Sequence, residues 1–182
     1  MTTVEFNGKD YPVRNSPEEF TIEELEIIMF ILQKEDINIF SKWMEIISIL
    51  GVDQDVIDNI DTDAFIELCL TFKFSTDIEL TKEIEIDGVT YFLFEGDEFK
   101  IKMKQLKEIE DIVRDRKFYF AKLCANLYKT KGELMFKNEK EQKKYLEDFF
   151  KNQKSSIVIP ILNIVNGNLI KKFNLMIENG IA

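Results

Sequence analysis

The stretch IEIDGVTYFL, residues 84–93, decides the fold. It predicts a β-hairpin, and a similar stretch near the start of the chain predicts another. An ungapped counterpart, VEFNGKDYPV, spans residues 4–13, and the two stretches share Glu, Gly and Tyr at matching positions. The dipeptides Asn7-Gly8 and Asp87-Gly88 supply the positive φ angles of a tight two-residue turn. Each stretch also alternates apolar and polar residues, as strands with one buried face do. Two β-hairpins are therefore predicted.

The first hairpin is predicted over Val4–Arg14 and the second over Glu83–Glu95, with a third strand, Phe99–Met103, beside the second. Apolar residues at helical spacing predict helices elsewhere. The predicted helices are Ile22 to about Lys34, a helix capped by Asp36 or Asn38 that ends at Gly51, a short helix among aspartates, Asp63–Phe72, Asp111–Lys129, Glu139–Lys151, and a last helix capped by Ser155 or Ser156 with Pro160 in its first turn. The fold class is therefore predicted to be α+β, predominantly α-helical with two short β-hairpins.

The start of the first helix carries the clearest local signal. Thr21 and Glu24 have the form of a capping box, in which the hydroxyl accepts from the backbone and the glutamate reaches back. The second half of this helix, IIMFIL, is apolar nearly all round. We therefore expect that half to be buried.

The repeated hairpin divides the chain into two predicted units, residues 1–79 and 80–182. Each unit begins with a hairpin whose apolar side is expected to lie on the helix that follows it. Two interpretations fit the repeat: duplication of one hairpin-plus-helices unit, or convergence of two hairpins on a short G-x-x-Y pattern. The two units are expected either to fold separately or to pack as one domain.

Composition indicates a globular protein. Hydrophobic residues make up 45% of the 182 residues and aromatic residues 12%, which is ample for a packed core. Apolar runs such as Ile157–Leu162 are far shorter than the roughly 20 residues of a membrane-spanning helix. The first residues lack the features of a secretory signal, so we expect a cytoplasmic protein. Cys69 and Cys124 are predicted to be buried free thiols within helices.

Charge is distributed unevenly along the chain. Residues 1–98 contain 6 Lys or Arg and 24 Asp or Glu, a net charge of −18, whereas residues 99–182 contain 18 and 10, a net charge of +8. The halves are electrostatically complementary, so they are expected to attract each other within one chain or head to tail between chains. The other interpretation is that both are simply solvated surface. Nucleic-acid binding is not expected, because the acidic half repels a phosphate backbone.

The sequence offers little catalytic chemistry. It has no histidine, the commonest general base, and no glycine-rich phosphate loop, so we predict no catalytic residue, no cofactor and no enzymatic activity. Five aspartates fall within eleven residues, namely Asp53, Asp55, Asp58, Asp61 and Asp63. A calcium loop counted from Asp53 fails, because Ile57 and Ala64 stand where ligands belong. No metal site is predicted, and the aspartates are expected to be helix caps and solvated surface.

The chain ends in an amphipathic stripe that is the candidate partner-binding site. Its residues are Leu169, Ile170, Phe173, Met176 and Ile177, with Lys171, Lys172 and Asn174 on the other side. Two alternatives apply to such a helix: it folds back as part of the core, or it docks in a groove of a partner protein.

The order of these segments resembles a known class of protein. The segments NGKDYPV, FTIEELEIIMFIL, IEIDGVTYFLFE and FKIKMKQLKEIEDIV, followed by a lysine-rich helical end, are similar to tail assembly chaperones and baseplate hub assembly proteins of T4-like bacteriophages. The resemblance implies a non-enzymatic protein that binds a tail or baseplate component during virion morphogenesis. It also implies a location in the bacterial host cytoplasm or in the virion.

A second function stays open beside this one. The acidic half is also consistent with a small regulatory binding protein, such as a phage-encoded inhibitor of a host nucleic-acid enzyme that mimics nucleic acid. Binding by such a mimic is expected to weaken steeply as salt rises.

Overall fold

A computed structural model describes residues 2–6, 9–14, 16–70, 78–93, 107, 119–130 and 138–163. Within these ranges the fold is α+β, as the sequence predicts. The strands are β1 (Thr2–Phe6), β2 (Lys9–Val13), β3 (Glu83–Ile86), β4 (Val89–Leu93) and β5 (Tyr128–Lys129). The helices are α1 (Ile22–Gln33), α2 (Ile39–Ile49), α3 (Gln54–Asn59), α4 (Thr62–Leu70), α5 (Phe120–Leu127) and α6 (Glu139–Lys151), followed by a 3₁₀ turn, Ser155–Ile157, that leads into helical residues 158–163.

The structure confirms both hairpins. β1 pairs with β2 in antiparallel register, and β3 pairs with β4 in the same register displaced by 80 positions. At the second turn Asp87 has φ 50° and Gly88 has φ 76°, the left-handed conformations that a tight two-residue turn needs. The dipeptide Asn7-Gly8 lies outside the described residues. Whether the two hairpins arose by duplication stays a prediction.

The predicted helix Asp111–Lys129 is wrong at its end. Helix α5 ends at Leu127, and Tyr128 and Lys129 form β5, which pairs antiparallel with β4. The Tyr128 ring lies 5.1 Å from the Phe150 ring, centroid to centroid, and its hydroxyl donates to the Thr81 carbonyl at 2.5 Å. These contacts and the free edge of β4 favour a strand over another half-turn of helix. The predicted strand Phe99–Met103 lies outside the described residues.

Local capping signals hold at the starts of α1, α2 and α3 and at the end of α2. Thr21 and Glu24 form the predicted capping box, and the Asn38 side chain accepts from the Ser41 amide at 2.9 Å at the start of α2. Asp53 caps α3 in the same way. Gly51 follows α2 with φ 103°, a value that favours glycine.

The predicted serine cap is wrong. The 3₁₀ turn begins after Lys154 without a side-chain cap, and the Ser155 hydroxyl donates instead to the Pro17 carbonyl at 2.9 Å. A backbone hydrogen bond joins the same two segments, because the Ile22 amide donates to the Gln153 carbonyl at 2.8 Å. The segment before α1 is thus tied to the segment after α6, which joins residues of the two predicted units.

Two clusters of buried side chains hold the helices together. The main core combines α1, part of α2 (Ile46 and Leu50), α5, α6, the β3–β4 hairpin and Val158 and Ile161, so it draws on both predicted units. The second cluster combines α2, α3, α4 and the end of β2. Trp43 is half-buried and packs against both clusters. Val13 belongs to the second cluster and Tyr11 packs against it, so these two side chains of the first hairpin lie with α2–α4 and not, as expected, on α1.

The expectation that IIMFIL is buried all round is wrong for one side of α1. Ile28 and Ile31 are buried in the main core, whereas Ile27 is 44% exposed and Phe30 is 62% exposed. The reason is geometric: α1 packs on the core with one face, and a helix covered on one face presents the opposite face to solvent.

Candidate interaction surface

Four exposed apolar side chains on the acidic half of the chain form the first candidate surface. They are Ile39 and Phe40 on α2 and Ile66 and Leu70 on α4, and we call them the α2–α4 surface. Phe40 is 51% exposed and Leu70 is 74% exposed. Large apolar side chains grouped in this way are typical of protein-binding surfaces.

The local sequence places these side chains at neighbouring helix ends. The Asn38 cap starts α2 immediately before Ile39 and Phe40, so both project from its first turn. The Phe40 ring lies 6.3 Å from the ring of Phe65, a buried residue of α4. Ile66 follows Phe65, and Leu70 lies one turn further along the same face. The Phe40–Phe65 contact thus places the first turn of α2 beside α4.

Exposed carboxylates accompany the α4 part of this surface, because Asp63 and Glu67 lie three residues before Ile66 and Leu70 on the same helix. Asp63 and Glu67 are exposed on α4, and Asp55 and Asp58 are exposed on the adjoining α3. Asp61 accepts from the Ala64 amide at 2.9 Å, so it serves as a helix cap, as predicted for this cluster. Exposed apolar side chains next to carboxylates are complementary to a partner whose surface is apolar and basic.

A second exposed stripe runs along the outer face of α1. It consists of Glu23, Ile27 and Phe30 of α1 and of Lys34, the half-buried residue that caps the C-terminus of α1, at successive spacings of four, three and four residues. Lys34 Nζ lies 3.0 Å from Glu45 Oε2 and 5.8 Å from the centroid of the Phe30 ring. We call these four residues the α1 stripe.

Glu26 connects α1 to α5 beneath the surface. Its Oε1 accepts from the Ala121 amide at 2.8 Å, and α5 has no side-chain cap of its own. Burial raises the pKa of Glu26 to about 7, an effect that Glu147 of α6 reinforces, while the Ala121 amide and Lys151 of α6 oppose it. The Glu26 carboxyl of α1 therefore caps α5. This contact removes the carboxylate charge partly from water, which costs free energy.

The thiols have no activated character. Cys124 is buried in α5, and burial together with the nearby Glu26 carboxyl raises its pKa well above the ordinary range. Burial raises the pKa of Cys69, which is half-buried in α4, to about 11. A thiol whose pKa is raised is mostly protonated at neutral pH and is a poor nucleophile. The prediction of free helical thiols is thus confirmed, although Cys69 is only partly covered.

The predicted partner-binding residues Leu169, Ile170, Phe173, Met176 and Ile177 lie outside the described residues, so that prediction stays open. Among the residues that the structure does describe, no group of three or more acidic or cysteine side chains lies close enough to hold a metal ion. Sequence reasoning missed both exposed surfaces. The run IIMFIL was the signal that could have identified the α1 stripe. A helix that packs on one core needs only one apolar face, so a second apolar face is left exposed.

No protein-family model, no curated protein and no solved structure matches this chain. No helix in the described part of the chain is long and apolar enough to cross a membrane.

Proposed function

We propose that this chain is a non-enzymatic bacteriophage assembly or structural protein that binds a tail or baseplate component during virion morphogenesis. The observation that supports the proposal is the α2–α4 surface, where Phe40 and Leu70 are more than half exposed and α4 also carries the exposed carboxylates Asp63 and Glu67. The phage setting is supported by the order of segments that resembles tail and baseplate assembly factors.

The size of the exposed side chains determines how much binding free energy the α2–α4 surface can contribute. Fully burying a Leu or Phe side chain contributes about 1.5–3 kcal/mol, so covering the exposed parts of Phe40 and Leu70 contributes roughly 1–2 kcal/mol each. The carboxylates on α4 add little net affinity, but they accelerate association with a basic partner and discriminate against acidic ones. The proposed partner therefore presents an apolar patch with lysine or arginine at its rim.

Affinity purification from phage-infected cells tests the proposal. Tagged wild-type protein is expected to retain a tail or baseplate protein, identified by mass spectrometry, and Leu70→Asp is expected to retain at least about tenfold less. Phe30→Asp is the matched control, because Phe30 is similarly exposed but lies on the α1 stripe. Equal retention by Leu70→Asp and wild type, or the absence of any virion protein, contradicts the proposal.

The acidic regulatory protein is the second candidate, favoured by one observation. Residues 1–98 carry a net charge of −18, and exposed aspartates stand along α3 and α4. Under this alternative the bound protein is a nucleic-acid enzyme, and binding falls steeply with salt. Neutralising Asp55 and Asp58 to asparagine then weakens binding more than Leu70→Asp does.

A further inference from the structure

The α1 stripe is arranged so that it complements a second copy of itself. Its residue numbers are symmetric about a point between Ile28 and Met29: Glu23 and Lys34 lie equally far from that point, and so do Ile27 and Phe30. Turning the helix end for end therefore exchanges the acidic residue with the basic one and the aliphatic residue with the aromatic one. A two-fold axis through this point brings all four pairs into register at once.

We propose that two copies of this chain pair through antiparallel α1 helices, with Ile27 of each copy against Phe30 of the other and Glu23 against Lys34. The proposal is independent of the tail or baseplate function. It differs from the head-to-tail association expected from the oppositely charged halves, because a two-fold interface closes at two copies whereas a head-to-tail contact adds further copies.

The charges of the stripe are placed for this contact. Glu23 is exposed and has no salt bridge within the described residues, so it is available to a second copy. Lys34 already lies beside the stripe, held by Glu45 at 3.0 Å with its ammonium group 5.8 Å from the centre of the Phe30 ring. In the proposed pair Lys34 lies between Glu45 of its own chain and Glu23 of the other.

The opposite face of α1 is fully used, which leaves the stripe for an external partner. Ile22, Leu25, Ile28 and Ile31 are all buried in the main core. Ile27 and Phe30 lie on the other side of the helix, where Ile27 is 44% exposed and Phe30 is 62% exposed. Exposed apolar side chains with no role in the core mark interaction sites in soluble proteins.

The length of the stripe sets the expected affinity. A twelve-residue helix is about 18 Å long, and one antiparallel helix pair buries less than the roughly 1,200 Å² of a standard interface. The pair is therefore expected to dissociate in the micromolar range. Phe30 lies near the centre of the contact, where truncation weakens binding most.

Sedimentation velocity from about 1 to 200 µM tests the pairing. Wild type is expected to shift from monomer to dimer over this range without larger species. Phe30→Asp is expected to raise the dissociation constant at least about thirtyfold, while Leu70→Asp on α4 leaves it unchanged. A wild-type protein that stays monomeric, or that forms an open series of larger species, overturns the proposal.

Charge reversal supplies a test that no folding defect mimics. Glu23→Lys and Lys34→Glu are each expected to weaken self-association by roughly tenfold, because each homodimer then holds two repulsive pairs. An equimolar mixture of the two variants restores dimers, since every contact between unlike copies joins opposite charges. The double variant Glu23→Lys/Lys34→Glu restores its own dimer for the same reason. Failure of both the mixture and the double variant to recover dimerisation overturns the antiparallel register.

Discussion

Replacing Glu26 by glutamine is expected to stabilise the protein above neutral pH. Because burial raises the pKa of Glu26 to about 7 from an ordinary value of 4.5, the folded protein holds a proton that the unfolded chain releases between these values. The free energy of unfolding therefore falls as pH rises through this window, and the contribution of the protonated carboxyl is lost above pH 7. Glutamine keeps an acceptor for the Ala121 amide and carries no charge to desolvate.

The size of the effect follows from the shift. Each pKa unit corresponds to 1.36 kcal/mol, so the whole shift corresponds to about 3 kcal/mol. Glu26 is only half-buried, and solvent screening reduces this to roughly 1–2 kcal/mol. Glu26→Gln is expected to exceed wild type by about that amount at pH 8.5, and its advantage is expected to shrink by roughly 0.5 kcal/mol at pH 6.

Urea unfolding followed by Trp43 fluorescence at pH 6 and pH 8.5 measures the effect. Trp43 is the only tryptophan and contacts both buried clusters, and the chain has no histidine to titrate in this range. Glu23→Gln is the control, because it removes the same charge from an exposed position on α1. A Glu26→Gln variant less stable than wild type at pH 8.5, or one with the wild-type pH dependence, refutes the reasoning.

Three further predictions concern single sites. Gly88→Ala is expected to cost about 1 kcal/mol of unfolding free energy, since φ is 76° and the space around the new methyl is open; a neutral result contradicts strain as the cause. Tyr128→Phe is expected to cost about 1 kcal/mol, because the Thr81 carbonyl loses its donor, and an unchanged urea midpoint argues against that hydrogen bond. A chromogenic disulfide reagent at pH 8 is expected to modify Cys69 slowly and Cys124 only after unfolding; rapid labelling of two thiols in native protein excludes the buried placement of Cys124.

The elements that sequence predicted correctly are those with short-range signals. The Thr21–Glu24 capping box, the Asn38 cap and the Asp87-Gly88 turn each depend on residues within four positions of one another. The backbone groups they satisfy belong to the same few residues, so the sequence alone contains the relevant energetics.

The features that sequence did not predict depend on distant partners. Tyr128 and Lys129 continue a helical pattern, and pairing with β4 together with the contacts of Tyr128 to Phe150 and Thr81 makes them a strand. The cap that Glu26 gives to α5 joins residues 95 positions apart. Ser155 likewise has the composition of a cap but donates to a carbonyl 138 positions away. Tertiary contacts outweigh local preference at all three places.

The exposed surfaces could not be predicted from the sequence for a different reason. Apolar periodicity identifies which residues of a helix avoid water, but it does not say what covers each face. In the run IIMFIL, Ile28 and Ile31 face the core, whereas Phe30 faces solvent. The placement of Glu23 and Lys34 suggests an ion pair between two copies only once the helix boundaries and the exposed face are known.

The most direct measurement of function is the affinity of the purified partner for wild-type protein and for Leu70→Asp at low and high salt, by calorimetry. Binding through the α2–α4 surface predicts that Leu70→Asp raises the dissociation constant at least about tenfold at both salt concentrations. It also predicts that salt alone changes the wild-type affinity modestly, because apolar burial supplies most of the free energy. An affinity that Leu70→Asp leaves unchanged and that salt abolishes contradicts this account.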